Sequence, residues 1–162
     1  MPVCSIVTNI TRYDPVYTTY NEVEPNNTTA TANNLSTSVN RVIGYIGNAT
    51  DVDYYKLSLD RGQTITVSMS GPAGKDYDLY FQNYSGVTLV YSSTFGANEG
   101  IIYYRGIPND STSAGAGGNI INGPMGPVTT GTTDIFYIKV VGYLGAFSTV
   151  YPYYLNITYK NP

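Results

Sequence analysis

From residue 41 onward, short strand-like segments follow one another at close intervals, each closed by a turn. RVIGYIG runs into the turn NATD. DYYKLSL ends at Asp60-Arg61-Gly62, a tight turn into QTITVSMS. GPAGKD leads to YDLYFQN, Ser85-Gly86 turns into VTLVYSS, and GIIYYRG, DIFYIKVVG and YPYYLNITY follow. Such spacing with Gly-rich turns predicts an all-β domain, a jelly-roll-like antiparallel β-sandwich. Composition agrees. The chain holds 18 Tyr, and charged residues are only 12%; Tyr, Thr, Val and Ile suit a pleated, half-buried surface. At 162 residues, one domain with a substantial core is expected.

Two segments depart from this rhythm. Residues 4–20, CSIVTNITRYDPVYTTY, read as extended, with SIVTNIT alternating apolar and polar side chains and Pro15 interrupting the run. Residues 1–20 are therefore expected to form a strand-like N-terminal arm ahead of a body at 21–162. Residues 106–133 are rich in Gly and small polar residues, and are expected to be an insertion loop with a short strand at NIIN. Residues 28–35 have room for a single helical turn. No internal repeat is present.

Charge and chemistry exclude several function classes. The net charge is −3 with no basic run, so the cationic footprint of a nucleic-acid binder is missing. No apolar run has the length of a membrane-spanning helix. MPVCSIVTNI lacks the basic start and apolar stretch of a signal peptide, so the chain is either cytosolic or numbered after processing. The low charge and the abundance of Tyr, Thr, Asn and Gly favour a processed, extracellular protein. N-x-[ST] sequons begin at Asn9, Asn26, Asn27, Asn34, Asn48, Asn83, Asn109 and Asn156 and permit glycosylation. The single Cys4 rules out an internal disulfide. It is either a small residue of an N-terminal strand, a site of intermolecular pairing, or a lipidated cysteine whose signal segment is missing. With no His, Ser–His–Asp and Cys–His nucleophile systems and His-based zinc sites are excluded. One Cys cannot build a thiolate zinc cage. GAGG lacks the context of a phosphate-binding loop, and no carboxylate pair lies in a Trp-lined cleft for glycoside hydrolysis. The expectation is a protein that is not an enzyme.

Two acidic pairs remain to be explained. In extended backbone, Glu22, Glu24 and Asn26 fall on one side, and Pro25 biases Glu24 toward that geometry. Asp51 and Asp53 are likewise spaced i, i+2 at the start of DVDYY. Four of the eleven acidic residues lie in these two stretches. Bringing them together is repulsive unless a hard cation joins them, and Ca2+ takes oxygen ligands from carboxylates, amides and carbonyls. The plain alternative is turn chemistry with solvated carboxylates. Asp76 and Asp78 form a weaker pair, read as turn caps or hydrogen-bond partners.

The order of motifs resembles the bacterial pre-peptidase C-terminal domain family, to which the collagen-binding domains of clostridial collagenases are related. The pieces are EPNN at 24–27, GYIG followed by DVDYY, LDRGQTITV, DLY, and GYLG followed by YYLNI. The resemblance covers roughly residues 21–105 and 134–159. It implies a secreted, non-catalytic β-sandwich, and it implies calcium held by Glu22, Glu24, Asn26, Asn27, Asp51 and Asp53. Asn27 departs from the Asp often found there and removes one charge.

In the adjacent Tyr pairs 54/55, 103/104 and 153/154, one ring is expected to face the core and the other outward, giving a hydrogen-bonding surface. Two functions fit. One is an extracellular structural subunit that self-assembles into a surface filament, its N-terminal strand adding to a neighbour's sheet edge to form a homopolymer. The other is a calcium-dependent binding module for collagen-like protein or polysaccharide, accessory to a secreted hydrolase.

Overall fold

A computed structural model describes residues 16–96, 98–105, 120–121 and 133–161. Within them the chain is a two-layer β-sandwich, as its strand rhythm predicts. The strands are β1 (Thr19–Asn21), β2 (Asn33–Asn34), β3 (Arg41–Gly44), β4 (Val52–Asp60), β5 (Thr64–Ser70), β6 (Tyr77–Asn83), β7 (Thr88–Ser92), β8 (Asn98–Tyr104), β9 (Ile120–Ile121), β10 (Thr133–Gly142) and β11 (Tyr153–Lys160). One sheet has the order β1-β3-β11-β5-β8-β9 and the other β2-β4-β10-β6-β7.

The long central pairings are antiparallel, and three short edge pairings, β1/β3, β2/β4 and β8/β9, are parallel. The expected strand at NIIN is β9. Of the expected helical turn at 28–35, only Thr28–Thr31 closes as a turn, through the Thr31 N–H to the Thr28 carbonyl at 3.1 Å. Asn33 and Asn34 instead pair with β4, because the ladder satisfies their backbone better than an isolated helical turn.

Alternation sets the core. In β4 the buried residues are Asp53, Tyr55, Leu57 and Leu59, and Val52, Tyr54, Lys56 and Ser58 face away. Ile65 and Val67 of β5, Leu79 and Phe81 of β6, Ile138 and Val140 of β10, and Leu155 and Ile157 of β11 complete the interior. Each such side chain contributes roughly 1.5–3 kcal/mol of transfer free energy. Toward the end where β8 stops and β10 starts, Phe81, Tyr103 and Phe136 form an aromatic cluster with ring centroids 5.0–5.5 Å apart. Beside it Arg105 is buried and forms an ion pair with Asp134, so the two roots of the 106–132 excursion are joined to each other. The Tyr pairs divide as their sequence implies: Tyr55, Tyr103 and Tyr153 are buried and their neighbours 54, 104 and 154 are half-buried.

The expected arm at 1–20 is described only from Val16. There it is not separate from the body. Thr19–Asn21 pair with Arg41–Ile43 of the same chain, and the Asn40 side chain bonds Thr18 and Val16. The Arg41 guanidinium lies over the Tyr17 ring. Residues 1–15 and Cys4, like most of the 106–133 loop, lie outside the described residues.

A carboxylate cluster at the loop end of the sandwich

The loops that follow β1, β3, β5, β7 and β10 all open at one end of the sandwich, and the acidic residues gather there. β1 ends at Asn21, so Glu22 begins the loop that follows it. Hydrogen bonds fix where the Glu22 carboxylate points. The Glu22 N–H donates to the Ile43 carbonyl at 3.0 Å, continuing the β1/β3 ladder by one residue. The Glu22 carboxylate then accepts the Tyr45 N–H at 2.6 Å through Oε1 and the Tyr55 hydroxyl at 3.0 Å through Oε2. Asn33 holds the next residue, Val23, by both backbone groups at 2.8 Å.

Glu24 stays exposed, and its Oε2 accepts the Asn26 N–H at 2.9 Å. The Asn26 carbonyl accepts the Tyr54 N–H at 3.0 Å, stitching this loop to the start of β4. One carboxylate oxygen from each of Glu22, Glu24 and Asp53 lies within 4.8 Å of the other two. That is the span of two ligands on opposite sides of one Ca2+ at ~2.4 Å each.

Asp53 is fully buried on the inward face of β4. Its Oδ2 accepts the Tyr153 hydroxyl at 2.5 Å, and its Oδ1 has no hydrogen-bond partner. Burial, and then the Glu22 carboxylate, push its pKa up to about 9. Glu22 is also raised by burial, against the Tyr45 amide and the Tyr55 hydroxyl, which pull it down. Asn26 is fully buried too, with neither side-chain heteroatom partnered. Buried polar atoms are normally satisfied, so orphaned oxygens beside three crowded carboxylates fit an all-oxygen cation site.

Asp51 and Asn27 hold a different position from the other four candidates. Asp51 Oδ2 accepts the Gly47 N–H at 2.6 Å and its Oδ1 the Val52 N–H at 3.0 Å. With its amide oriented to suit its neighbours, Asn27 donates to Asp51 Oδ1 at 2.8 Å and to the Val52 carbonyl at 3.0 Å. These two residues shape the loop beside the cluster, and Asp51 adds negative charge that raises Asp53. Asp76 and Asp78 serve as hydrogen-bond acceptors, from the Gly96 N–H at 3.0 Å and the Tyr80 hydroxyl at 3.2 Å.

Sequence reasoning did not single out three contributors. Tyr55 and Tyr153 are fully buried and link Glu22 to Asp53 through their hydroxyls. Gly44 leaves the room: a β-carbon there would overlap the Tyr153 ring and the Glu22 carboxylate. The inward parity of the second Tyr in DYY and the first in YYLNI was the available signal. Their pairing across 98 residues was not written locally. Of the sequons, Asn26 is fully buried and Asn27, Asn34 and Asn48 are exposed.

No family model matches the chain, and no curated protein matches it. Among solved structures it is similar to the pre-peptidase C-terminal domain of a collagenase from Bacillus anthracis. That similarity has 14% identity and a TM-score of 0.49, and it covers 78% of this chain and 94% of the other. Among the described residues, no helix is long and apolar enough to cross a membrane.

Proposed function

We propose that this chain is a non-catalytic extracellular module that binds one Ca2+ through Glu22, Glu24 and Asp53, with Asn26 supplying a further oxygen, and acts by contact with a partner. The observation that carries the reading is the convergence of three carboxylates, one oxygen of each within 4.8 Å of the others, with Asp53 fully buried. The ion joins the loop after β1 to the start of β4, and so stabilises the loop end. The chain lacks His and has one Cys, which agrees with a binding role, and its low charge and Tyr-rich strands suit an extracellular setting.

Calcium titration followed by thermal melting tests the site. A ligand of the folded state stabilises by about 2.7 kcal/mol at a hundred times its Kd. Saturating Ca2+ should raise Tm by several degrees in the intact chain and not in Asp53→Asn. An unchanged Tm in the intact chain overturns the reading.

A second reading, assembly into a surface fibre, is favoured by the edge at β7. Thr88–Ser92 ends its sheet without a charged residue or proline, the residues that usually guard an edge against further pairing. The leading segment, residues 1–15, supplies a strand-like sequence to add there. Electron microscopy of the full chain, with and without residues 1–15, distinguishes fibres from single particles.

A further inference from the structure

The N-x-[ST] triplets carry a chemistry that the calcium cluster does not use, since an asparagine amide in that setting can accept an N-linked sugar. The fold treats the described triplets very differently. Asn26 is fully buried. The Asn27 amide nitrogen is engaged by Asp51 Oδ1 at 2.8 Å and the Val52 carbonyl at 3.0 Å. Asn34 is exposed, but it lies in β2 and pairs with Lys56. The Leu35 N–H that follows donates to the Lys56 carbonyl at 2.8 Å, and the Ser36 hydroxyl is bonded to that of Ser38 at 2.8 Å. Asn83 ends β6 half-buried, its Oδ1 accepting the Ser85 and Val87 N–H groups at 3.0 Å each. Asn156 stands mid-strand between Arg41 and Ser68, with its Oδ1 buried.

Asn48 differs from all of these. It lies in the loop between β3 and β4, and Asn48, Ala49 and Thr50 are all exposed. Its Oδ1 accepts the Thr50 N–H at 2.9 Å and the Thr50 hydroxyl at 2.8 Å. This is an Asx turn closed by the triplet's own hydroxyl. A backbone N–H can meet only the oxygen end of the amide, so Nδ2 is the end left over. It enters no hydrogen bond among the described residues. Two donors on Oδ1 draw electron density from the amide and make its N–H more acidic, which assists substitution at nitrogen. The turn is braced from below. The Asp51 N–H donates to the Asn48 carbonyl at 3.2 Å, and the Gly47 N–H to Asp51 Oδ2 at 2.6 Å.

We infer that Asn48 is an N-glycosylation site of the folded protein and that the fold withholds the other described triplets. The inference rests on the reading of the chain as extracellular and adds a covalent modification to it. The donor is an oligosaccharide joined through its anomeric carbon to a polyprenyl diphosphate. Asn48 Nδ2 forms a bond to that carbon, the carbon–oxygen bond to the diphosphate breaks, the diphosphate leaves with the electron pair, and the amide gives up one proton. Rooted between β3 and β4, the glycan stands at the same end as the calcium cluster rather than on a sheet face.

Transfer in vitro tests it, using the full, calcium-loaded chain, a single-subunit oligosaccharyltransferase and a dolichyl-diphosphate oligosaccharide, read site by site by mass spectrometry. In the folded chain, occupancy at Asn48 should exceed that at Asn26, Asn27, Asn34, Asn83 or Asn156 by about tenfold or more, because those sites need the fold to open. A short synthetic peptide spanning Asn156, whose triplet also ends in Thr, should accept the glycan as readily as one spanning Asn48. No transfer to Asn48 in the folded chain, transfer to Asn27 or Asn156 equal to it, or peptides that reproduce the ranking of the folded chain overturns the inference. Transfer in vitro does not depend on where a cell places the chain, and the calcium-induced rise in Tm is read separately. A failure here is therefore distinct from a failure of the extracellular reading.

Discussion

The hydroxyls of Tyr55 and Tyr153 lie 2.6 Å apart and connect two carboxylates, Glu22 at one end and Asp53 at the other. The chain of contacts has three oxygen–oxygen links. Two phenols supply only two protons, so without a cation a carboxyl group must provide the third. The raised Asp53 agrees with this count. A bound divalent ion removes the need for that proton, so calcium binding should release protons.

Stability of the calcium-free protein should fall with rising pH. Asp53 titrates near its ordinary value of about 3.9 when unfolded and at about 9 when folded. The folded state therefore holds the extra proton between these values, and stability falls as pH rises through that window. In EDTA, Tm should be higher at pH 5 than at pH 8. Saturating calcium should flatten or reverse the trend, as melts at both pH values will show.

Tyr153→Phe removes the hydroxyl between Asp53 and Tyr55 and leaves its buried partners short of a bond. The cost should be about 1–3 kcal/mol, read as a lower urea midpoint at unchanged slope. An unchanged midpoint would mean the hydroxyl chain adds nothing to stability.

Gly44→Ala places a methyl group against the Tyr153 ring and the Glu22 carboxylate. One of the two must move, and Glu22 is the less confined. Calcium affinity by isothermal titration should fall at least tenfold while the sandwich still forms by circular dichroism.

Asn27→Asp should weaken the calcium-free protein. The Asn27 amide donates to Asp51 Oδ1, and a carboxylate there would face another carboxylate. The expected loss is about 1–3 kcal/mol in denaturant, recovered by adding Asp51→Asn.

Most of the fold was legible because alternation and Gly turns are local. The inward Tyr55 and outward Tyr54 follow from parity alone. The pairing of Glu22 with Asp53 was suggested by charge economy, since few acids are spent on this surface and four fall in two stretches. The route was not legible. The anchors that aim Glu22, the Tyr45 amide and the Tyr55 hydroxyl, come from distant parts of the chain. Whether Thr19–Asn21 joins its own β3, as it does here, or another chain depends on long-range docking, not local pattern. Asp51 looked equivalent to Asp53, yet backbone N–H groups and Asn27 engage it.

The ion pair between buried Arg105 and Asp134 joins the end of β8 in one sheet to the start of β10 in the other. Between those two roots, Ile120–Ile121 pair with β8, so the connection is held at the edge of the six-stranded sheet as well. The salt bridge thus fixes, at the pole opposite the acidic loops, where the chain leaves the body and where it returns.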